Sequence, residues 1–217
     1  MEPTPKIICL TNGMFMENCY LIGSPETSEA VLVDPGEEAD LFLRRLEHEE
    51  LELKQIWLTH GHVDHVDGVQ PVAQATGADI YLHPDDRMLY DNYVAQRAKY
   101  GLRAGDPPPP PDHDLHHGDE LRVGDFSYSV RHMPGHSRGG VAFVGHGAVF
   151  CGDSLFTGSI GRTDLPGGDM DTLMTSIHEQ LLSLPDETIV YPGHGPETTI
   201  GTERRTNPFL TGEYGRF

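Results

Sequence analysis

Three histidines and an aspartate fall within six consecutive residues of the run Thr59-His60-Gly61-His62-Val63-Asp64-His65. Imidazole nitrogen and carboxylate oxygen are the donors that borderline divalent cations such as zinc accept. The preceding residues, Gln55 to Thr59, are apolar and β-favouring, so they read as a short buried strand. Strands of open α/β sheets deliver functional residues at their carboxyl ends. A period of two continuing past the strand would point His60, His62 and Asp64 one way and His65 another. One loop could then serve two adjacent metal positions. The plain alternative is a His-rich surface loop, and the density of ligands in so short a span argues against it.

Composition narrows the partners. The chain has 217 residues, enough for one large domain or two small ones with a substantial core. Its formal charge is -19, from 34 acidic and 15 basic residues. Such a surface repels nucleic acid phosphate and anionic membrane, so neither is expected as a partner. The acidic residues are spread along the chain and serve mainly solubility. Three cysteines, Cys9, Cys19 and Cys151, make no disulfide framework. Cys9 and Cys19 lie in apolar strand-like runs and are expected to be buried. The first residues, Met1 to Pro5, lack a basic region followed by an apolar one, and no apolar run is long enough to span a bilayer. A soluble cytoplasmic protein is expected.

Taken in order, Lys6 to Leu10, Asn18 to Gly23 and Ala30 to Val33 read as strands. Glu37 to Glu49 has helical spacing, with Leu41, Phe42 and Leu46 on one face. After the His loop, Asp67 to Thr76 is a predicted helix with Asp67 as N-cap and Gly77 as its stop. Asp79 to Leu82 is a strand, and Pro84 opens a helix through about Tyr100. This alternation of strand and helix is the signature of an α/β layered fold. Five consecutive prolines, Pro107 to Pro111, predict a stiff extended connector. Strands follow near Glu120 to Val123, Phe126 to His132, Val141 to Val144 and Ala148 to Cys151. Met170 to Leu184 reads as a helix and Thr188 to Tyr191 as a last strand.

Three of these later strands end in turns that carry further ligand types. His136 sits in Met133-Pro134-Gly135-His136-Ser137, Asp153 in Cys151-Gly152-Asp153-Ser154, and His194 in Tyr191-Pro192-Gly193-His194-Gly195. Each follows a glycine, which permits the close backbone approach a metal loop needs. With the tetrad they make seven candidate ligands, five histidines and two aspartates. Seven exceeds what one tetrahedral zinc can use and suits two metals that share a ligand and a bridging water. The remaining histidines lack this context, except that His132 stands next to the third loop and could support it.

His-x-His-x-Asp-His, then Pro-Gly-His, Gly-Asp-Ser and Pro-Gly-His, in this order and across nearly the whole chain, resembles the metallo-β-lactamase superfamily. Within it, Gly158 to Asp169, Gly195 to Gly201 and the later Glu203, Arg204 and Asn207-Pro208 are similar to short bacterial relatives of glyoxalase II, the hydroxyacylglutathione hydrolases. The resemblance implies a four-layer αββα sandwich with the metal site at one edge of the sheets. It implies one domain over 1–217 with a helical, Pro-rich insertion at about 84–117. It gives His60, His62 and His136 to a first metal, and Asp64, His65 and His194 to a second, with Asp153 as the bridge. A carboxylate bridge sets this group apart from the true β-lactamases and argues against antibiotic hydrolysis.

The activity so implied is hydrolysis of a thioester such as an S-acylglutathione by a metal-bridging hydroxide, with a small molecule as the partner. The metals implied are two divalent ions, zinc first, with iron and manganese as alternatives. Asp64 is the candidate catalytic residue, as acceptor for the hydroxide's proton, or else a ligand only. Arg162 occupies the place of a basic residue that contacts glutathione in full-length glyoxalase II. Its alternative is a buried pair with Asp164 or Asp169. The helical C-terminal domain of those enzymes has no counterpart before Phe217, so part of substrate recognition is expected to fall to the insertion, with Tyr90, Tyr93, Arg97, Lys99 and Tyr100. Met133 and Arg138 replace residues more often Thr and Pro beside the third histidine. A persulfide dioxygenase with one iron is the enzymatic rival, since relatives of that type also carry a Gly-Arg-Thr-Asp segment. A lactonase, or a non-catalytic relative that kept the fold, is a weaker reading.

Overall fold

The computed structural model describes residues 4–212, so the extreme ends of the expected 1–217 domain, residues 1–3 and 213–217, lie outside the described residues. The first half of the chain supplies β1 (Lys6–Asn12), β2 (Glu17–Gly23), β3 (Glu29–Val33), α1 (Ala39–His48), β4 (Glu52–Trp57), α2 (Val63–Val66), α3 (Val69–Thr76) and β5 (Asp79–Leu82). The segment expected to be an insertion, 84–117, contributes α4 (Arg87–Asp91), α5 (Tyr93–Lys99) and β6 (His113–Asp114). The second half supplies β7 (Glu120–Val123), β8 (Phe126–His132), β9 (Val141–Gly145), β10 (Ala148–Gly152), the short pair β11 (Leu155–Phe156) and β12 (Ser159–Ile160), α6 (Met170–Ser176), β13 (Ile189–Pro192), β14 (Thr198–Thr199) and α7 (Ile200–Thr206).

Two six-stranded sheets result, ordered β1-β2-β3-β4-β5-β6 and β14-β13-β10-β9-β8-β7. Alternating side chains of one strand serve two different cores. In β2, Leu21 faces a core shared with Phe42, Leu46, Val69 and Val72 of the helices. Its neighbours Tyr20 and Ile22 face a second core against Tyr128, Phe143 and Phe150 of the other sheet. A third core packs Val149 and Val190 of that sheet on Leu173 and Ile177. Helix, sheet, sheet and helix are therefore the four layers. Trp57, fully buried between the sheets against Tyr128 and Phe143 at 5.6 and 5.1 Å between ring centroids, anchors the middle. Its truncation to alanine would cost about 3–5 kcal/mol.

Strand direction places the ligand loops. β8 and β10 both run antiparallel to β9, and β13 runs parallel to β10. Their carboxyl ends therefore meet at one edge of the second sheet. β4, which precedes the tetrad, lies parallel to β3 and β5 in the first sheet. A backbone bond from Val141 N to Thr59 O, 2.8 Å, ties the two sheets together at that edge.

Several local expectations change. The strand before the tetrad ends at Trp57, and Val63–Val66 is a turn of helix, so the period of two does not run through Asp64. His62 is still extended, and the helical turn after it brings Asp64 and His65 to one side. Asp67 is not the N-cap of α3, which is Gly68; it closes α2 instead, and its carboxylate accepts from Tyr93 Oη, 2.6 Å, and from Arg97. The helix from Pro84 is broken into a short 3-10 turn, α4 and α5, with the break at Asn92. The helix from Met170 gives way after Ser176 to a wider π turn over Ile177–Leu181. Cys9 is exposed, because β1 lies at the sheet edge and alternates its faces; Cys19 is buried as expected.

Candidate metal centre

All seven predicted ligands converge at the common edge of the sheets. His60, His62 and His136 bring ligand atoms within 4.8 Å of one another, and so do Asp64, His65 and His194. Asp153 stands between these groups. Its Oδ1 is 3.4 Å from His65 Nε2, and its Oδ2 is 3.6 Å from both His136 Nε2 and His194 Nε2. Asp64 Oδ2 lies 3.3 Å from His194 Nε2 and 3.9 Å from His65 Nε2.

The outward nitrogens of the rings are fixed by groups that the sequence did not single out. Asp34, read only as part of a turn closing a strand, accepts from Thr59 N at 2.7 Å, from Thr59 Oγ1 at 2.6 Å and from His65 Nδ1 at 3.0 Å. A carboxylate only accepts, so His65 carries its proton on Nδ1. Thr59 has given its own proton to Asp34, so its oxygen accepts from His60 Nδ1, 3.0 Å away. One buried aspartate therefore sets both tautomers and leaves both Nε2 atoms aimed inward. His136 Nδ1 bonds the Arg162 carbonyl at 2.8 Å and His194 Nδ1 the Phe15 carbonyl at 3.1 Å. Its place before Pro35-Gly36 marked no more than a turn; the structure gives Asp34 a φ of 53°, uncommon for a non-glycine residue.

Two residues of the insertion hold the loops themselves. Asp86, 1% exposed, accepts from Gly61 N at 2.9 Å, Ser137 Oγ at 2.8 Å and Gly139 N at 2.6 Å, joining the tetrad to the third histidine loop. Gln96 accepts from Val63 N at 3.1 Å and donates to Gly61 O at 3.0 Å. Nothing in their spacing marked either one. On the other flank, Asn18 at the start of β2 donates to the carbonyls of Pro192 and Gly195, fixing the His194 turn. His132 does support the third loop, through a bond from Nε2 to Arg138 O at 2.9 Å.

The donor set fits divalent cations. His60 Nε2, His65 Nε2 and Asp153 Oδ1 are buried without a hydrogen-bond partner, an arrangement that is costly unless a ligand satisfies it. Burial and the neighbouring imidazoles hold His60 well below the usual histidine range, so it presents a lone pair. The same causes take His62 down to about 3. Burial works against charge on His65, but the Asp153 and Asp64 carboxylates outweigh it and push the imidazole well up. Asp153 is likewise held far below the carboxylate range: burial opposes its charge, and His65, His136 and His194 overcome it. The field that favours a proton on His65 equally favours a metal cation among these groups.

Above the donors lies a cleft of about 370 Å³, lined among others by Phe15, Tyr100, Phe156, Ile160 and Arg162. Arg162 is paired bidentately with Asp164, 2.7 Å for both bonds. The pair is exposed rather than buried, and Asp169 instead caps α6 by accepting from Thr172 N.

A model of the metallo-beta-lactamase superfamily matches residues 12–194, a span from β1 to the last histidine loop. The chain belongs to this superfamily. Among relatives, the hydroxyacylglutathione hydrolase GloC of Haemophilus influenzae is 41% identical over 199 residues, covering 90% of this chain and 93% of that one. The B3 metallo-beta-lactamase BLEG-1 superposes with a TM-score of 0.87 at 40% identity, over 95% of this chain and all of that one. TTHA1623 in a di-iron-bound form superposes at 0.85 with 45% identity, over 94% of this chain and all of that one. Membership of this superfamily and the likeness to a hydroxyacylglutathione hydrolase support a metal-dependent hydrolase, and the metal-ligand candidates lie within the matched span.

Proposed function

We propose that the protein hydrolyses thioesters of the S-acylglutathione class at a two-metal centre. The observation that carries this reading is the position of Asp153, whose two oxygens reach His65 on one side and His136 and His194 on the other. His60, His62 and His136 would hold one cation, and Asp64, His65 and His194 the other, with Asp153 shared. Two divalent cations bound there supply an acidified water and Lewis-acid polarisation of a carbonyl. The 41% identity to a hydroxyacylglutathione hydrolase supports the substrate class.

The chain's own groups have separable tasks. Asp34 and Thr59 fix which nitrogen each of His60 and His65 offers. Asp64 is part of the cleft wall and remains ionised: burial disfavours its charge, but His65 and His194 hold its carboxyl below the ordinary range. It serves as a ligand and as the acceptor for the proton of the attacking water. Phe15, Phe156, Ile160 and Leu165 give the cleft apolar wall beside its charged groups, which strengthens electrostatics at the reacting carbonyl. The leaving thiolate is stable near neutral pH and needs no protein acid. Arg162 is the candidate to receive a substrate carboxylate in exchange for Asp164. Zinc is the first expectation, and the di-iron form of TTHA1623 makes iron the second. A cytoplasmic location belongs to the same reading, supported by three free thiols.

The test is to purify the protein with its native metal and count metals per chain. S-lactoylglutathione, glutathione persulfide and benzylpenicillin are then assayed side by side. Thioester turnover without oxygen uptake, at two metals per chain, is expected. Oxygen consumption with one iron per chain would overturn the reading, as would hydrolysis of the penicillin alone.

A further inference from the structure

Beside the metal cleft, the insertion and the third histidine loop enclose a larger groove of about 730 Å³. His62, Tyr100 and Leu165 line both spaces, so the groove opens directly onto the centre. One wall is a helical face: Met88, Asn92, Ala95 and Lys99 follow at three- and four-residue intervals along α4 and α5. The other wall is Arg138 together with Leu165 to Gly167. The volume lies within the range of small-molecule sites, about 300–1,000 Å³.

Two basic side chains line this groove, Lys99 and Arg138. The chain carries -19, and Arg45, Arg87, Arg97, Arg122, Arg162 and Arg204 are engaged by carboxylates, whereas Arg44, Arg103 and Arg131, which do not line the groove, have no carboxylate within ion-pair distance among the described residues. Lys99 and Arg138 are exposed, and among the described residues neither is within ion-pair distance of a carboxylate. The Lys99 ammonium rests 5.4 Å from the centroid of the Tyr100 ring, one of the side chains shared by groove and cleft. The aspartates along the groove are committed elsewhere. Asp86 is taken up by Gly61, Ser137 and Gly139, Asp91 pairs with Arg87 at 3.0 Å, and Asp85 stands 4.0 Å from His83. Two exposed cations on an acidic protein, lining a groove that shares residues with the reaction cleft, complement an anionic ligand, with Asp164, itself paired with Arg162, the carboxylate whose field Lys99 feels. Met88, 74% exposed on the same wall, offers apolar surface for a chain running between them.

We propose that this groove binds the thiol-derived arm of the substrate, an anionic peptide-like thiol whose carboxylates pair with Lys99 and Arg138. This rests on the thioester reading above and adds to it the side of the cleft from which the leaving group departs. Arg162, already bridged to Asp164, is then not the main anion contact.

The experiment compares the native metalloprotein with Lys99→Glu/Arg138→Glu and the milder Lys99→Gln/Arg138→Gln. Two thioesters are used, anionic S-lactoylglutathione and neutral S-lactoyl-N-acetylcysteamine. The ratio of their kcat/KM values is expected to fall about tenfold or more in the Glu variant and less in the Gln variant. Binding of the non-hydrolysable S-methylglutathione, followed by calorimetry, should weaken in the same order, and in the wild type it should weaken with added salt. Both side chains are exposed, so thermal unfolding midpoints should match and exclude misfolding. If the wild type cleaves both thioesters while the variants leave the ratio and the S-methylglutathione affinity unchanged, the groove assignment is wrong and the thioester reading stands. If the wild type cleaves neither, the thioester reading falls and this proposal with it.

Discussion

His65 Nδ1 donates to Asp34 Oδ2 at 3.0 Å with both side chains buried, and through Thr59 the same carboxylate also dictates the tautomer of His60. Asp34→Asn tests this directly. The amide keeps one oxygen for Thr59 N but presents an NH₂ where Oδ2 accepted. His65 Nδ1 must then accept, and Thr59 turns its hydroxyl toward His60. Both Nε2 atoms become protonated donors facing the metal positions. Metal affinity should fall about 10–100-fold, the usual effect of removing a partner that orients a ligand. Metal analysis after dialysis against a weak chelator reads the loss. Two metals retained at wild-type affinity would contradict the tautomer argument.

Asp86 should behave differently, because it holds backbone rather than rings. Asp86→Ala leaves the buried Gly61 and Gly139 N–H groups and the Ser137 hydroxyl without their acceptor. The expected cost is about 2–4 kcal/mol of stability. Loading of the His60, His62 and His136 set should suffer most, since Asp86 joins the two loops that carry those residues. Chemical denaturation and metal stoichiometry measured together check both parts. A destabilised variant that still binds two metals tightly would reduce Asp86 to a purely structural role.

These two aspartates mark the boundary of what the sequence discloses. The seven ligand candidates were legible because each combines a metal-binding residue type with a turn at a strand end, and His136, Asp153 and His194 also follow a glycine. The layered architecture was legible because strand and helix periods alternate along the chain. Asp34 and Asp86 were not, since an aspartate before Pro-Gly or near a helix start reads as ordinary turn chemistry. Their importance comes from Thr59, His65, Ser137 and Gly139, partners between 25 and 53 residues away. The helical turn at Val63–Val66 was hidden for a similar reason. Its Val63 N–H is held by Gln96, from a helix in the insertion, so tertiary contact overrode the strand-like period. Cys9 was misread because alternation alone does not tell an edge strand from a central one.

The cysteines give a prediction independent of the metal. Cys19 and Cys151 are 0% and 1% exposed, and burial pushes the Cys19 thiol well up and that of Cys151 to about 12. A raised thiol pKa keeps the nucleophilic thiolate scarce until the pH approaches that value. Cys9 is exposed, although partial burial of its sulfur also raises its pKa. Titration of the native protein with a disulfide reagent near pH 8 should therefore find one thiol per chain, reacting slowly and faster as the pH rises. All three should react in denaturant. Two fast thiols in the native state would be inconsistent with this packing.

Gly193 offers a way to disturb the shared ligand without removing it. Its backbone N–H bonds Gly152 O at 2.9 Å, which seats the His194 turn against the Asp153 turn. A β-carbon there would overlap Asp153 Oδ1 and stand 2.7 Å from His65 Cε1. Gly193→Ala therefore keeps all seven donors and displaces the carboxylate lying between the two groups. If Asp153 unites the pair, the variant should lose one metal or both and lose turnover by about two orders of magnitude or more, as Asp153→Asn would. Because no ligand is deleted, a matching phenotype would tie function to the placement of the bridge rather than to the inventory of donors. Full two-metal loading with wild-type turnover in Gly193→Ala would show that Asp153 does not sit between the metals in the working enzyme.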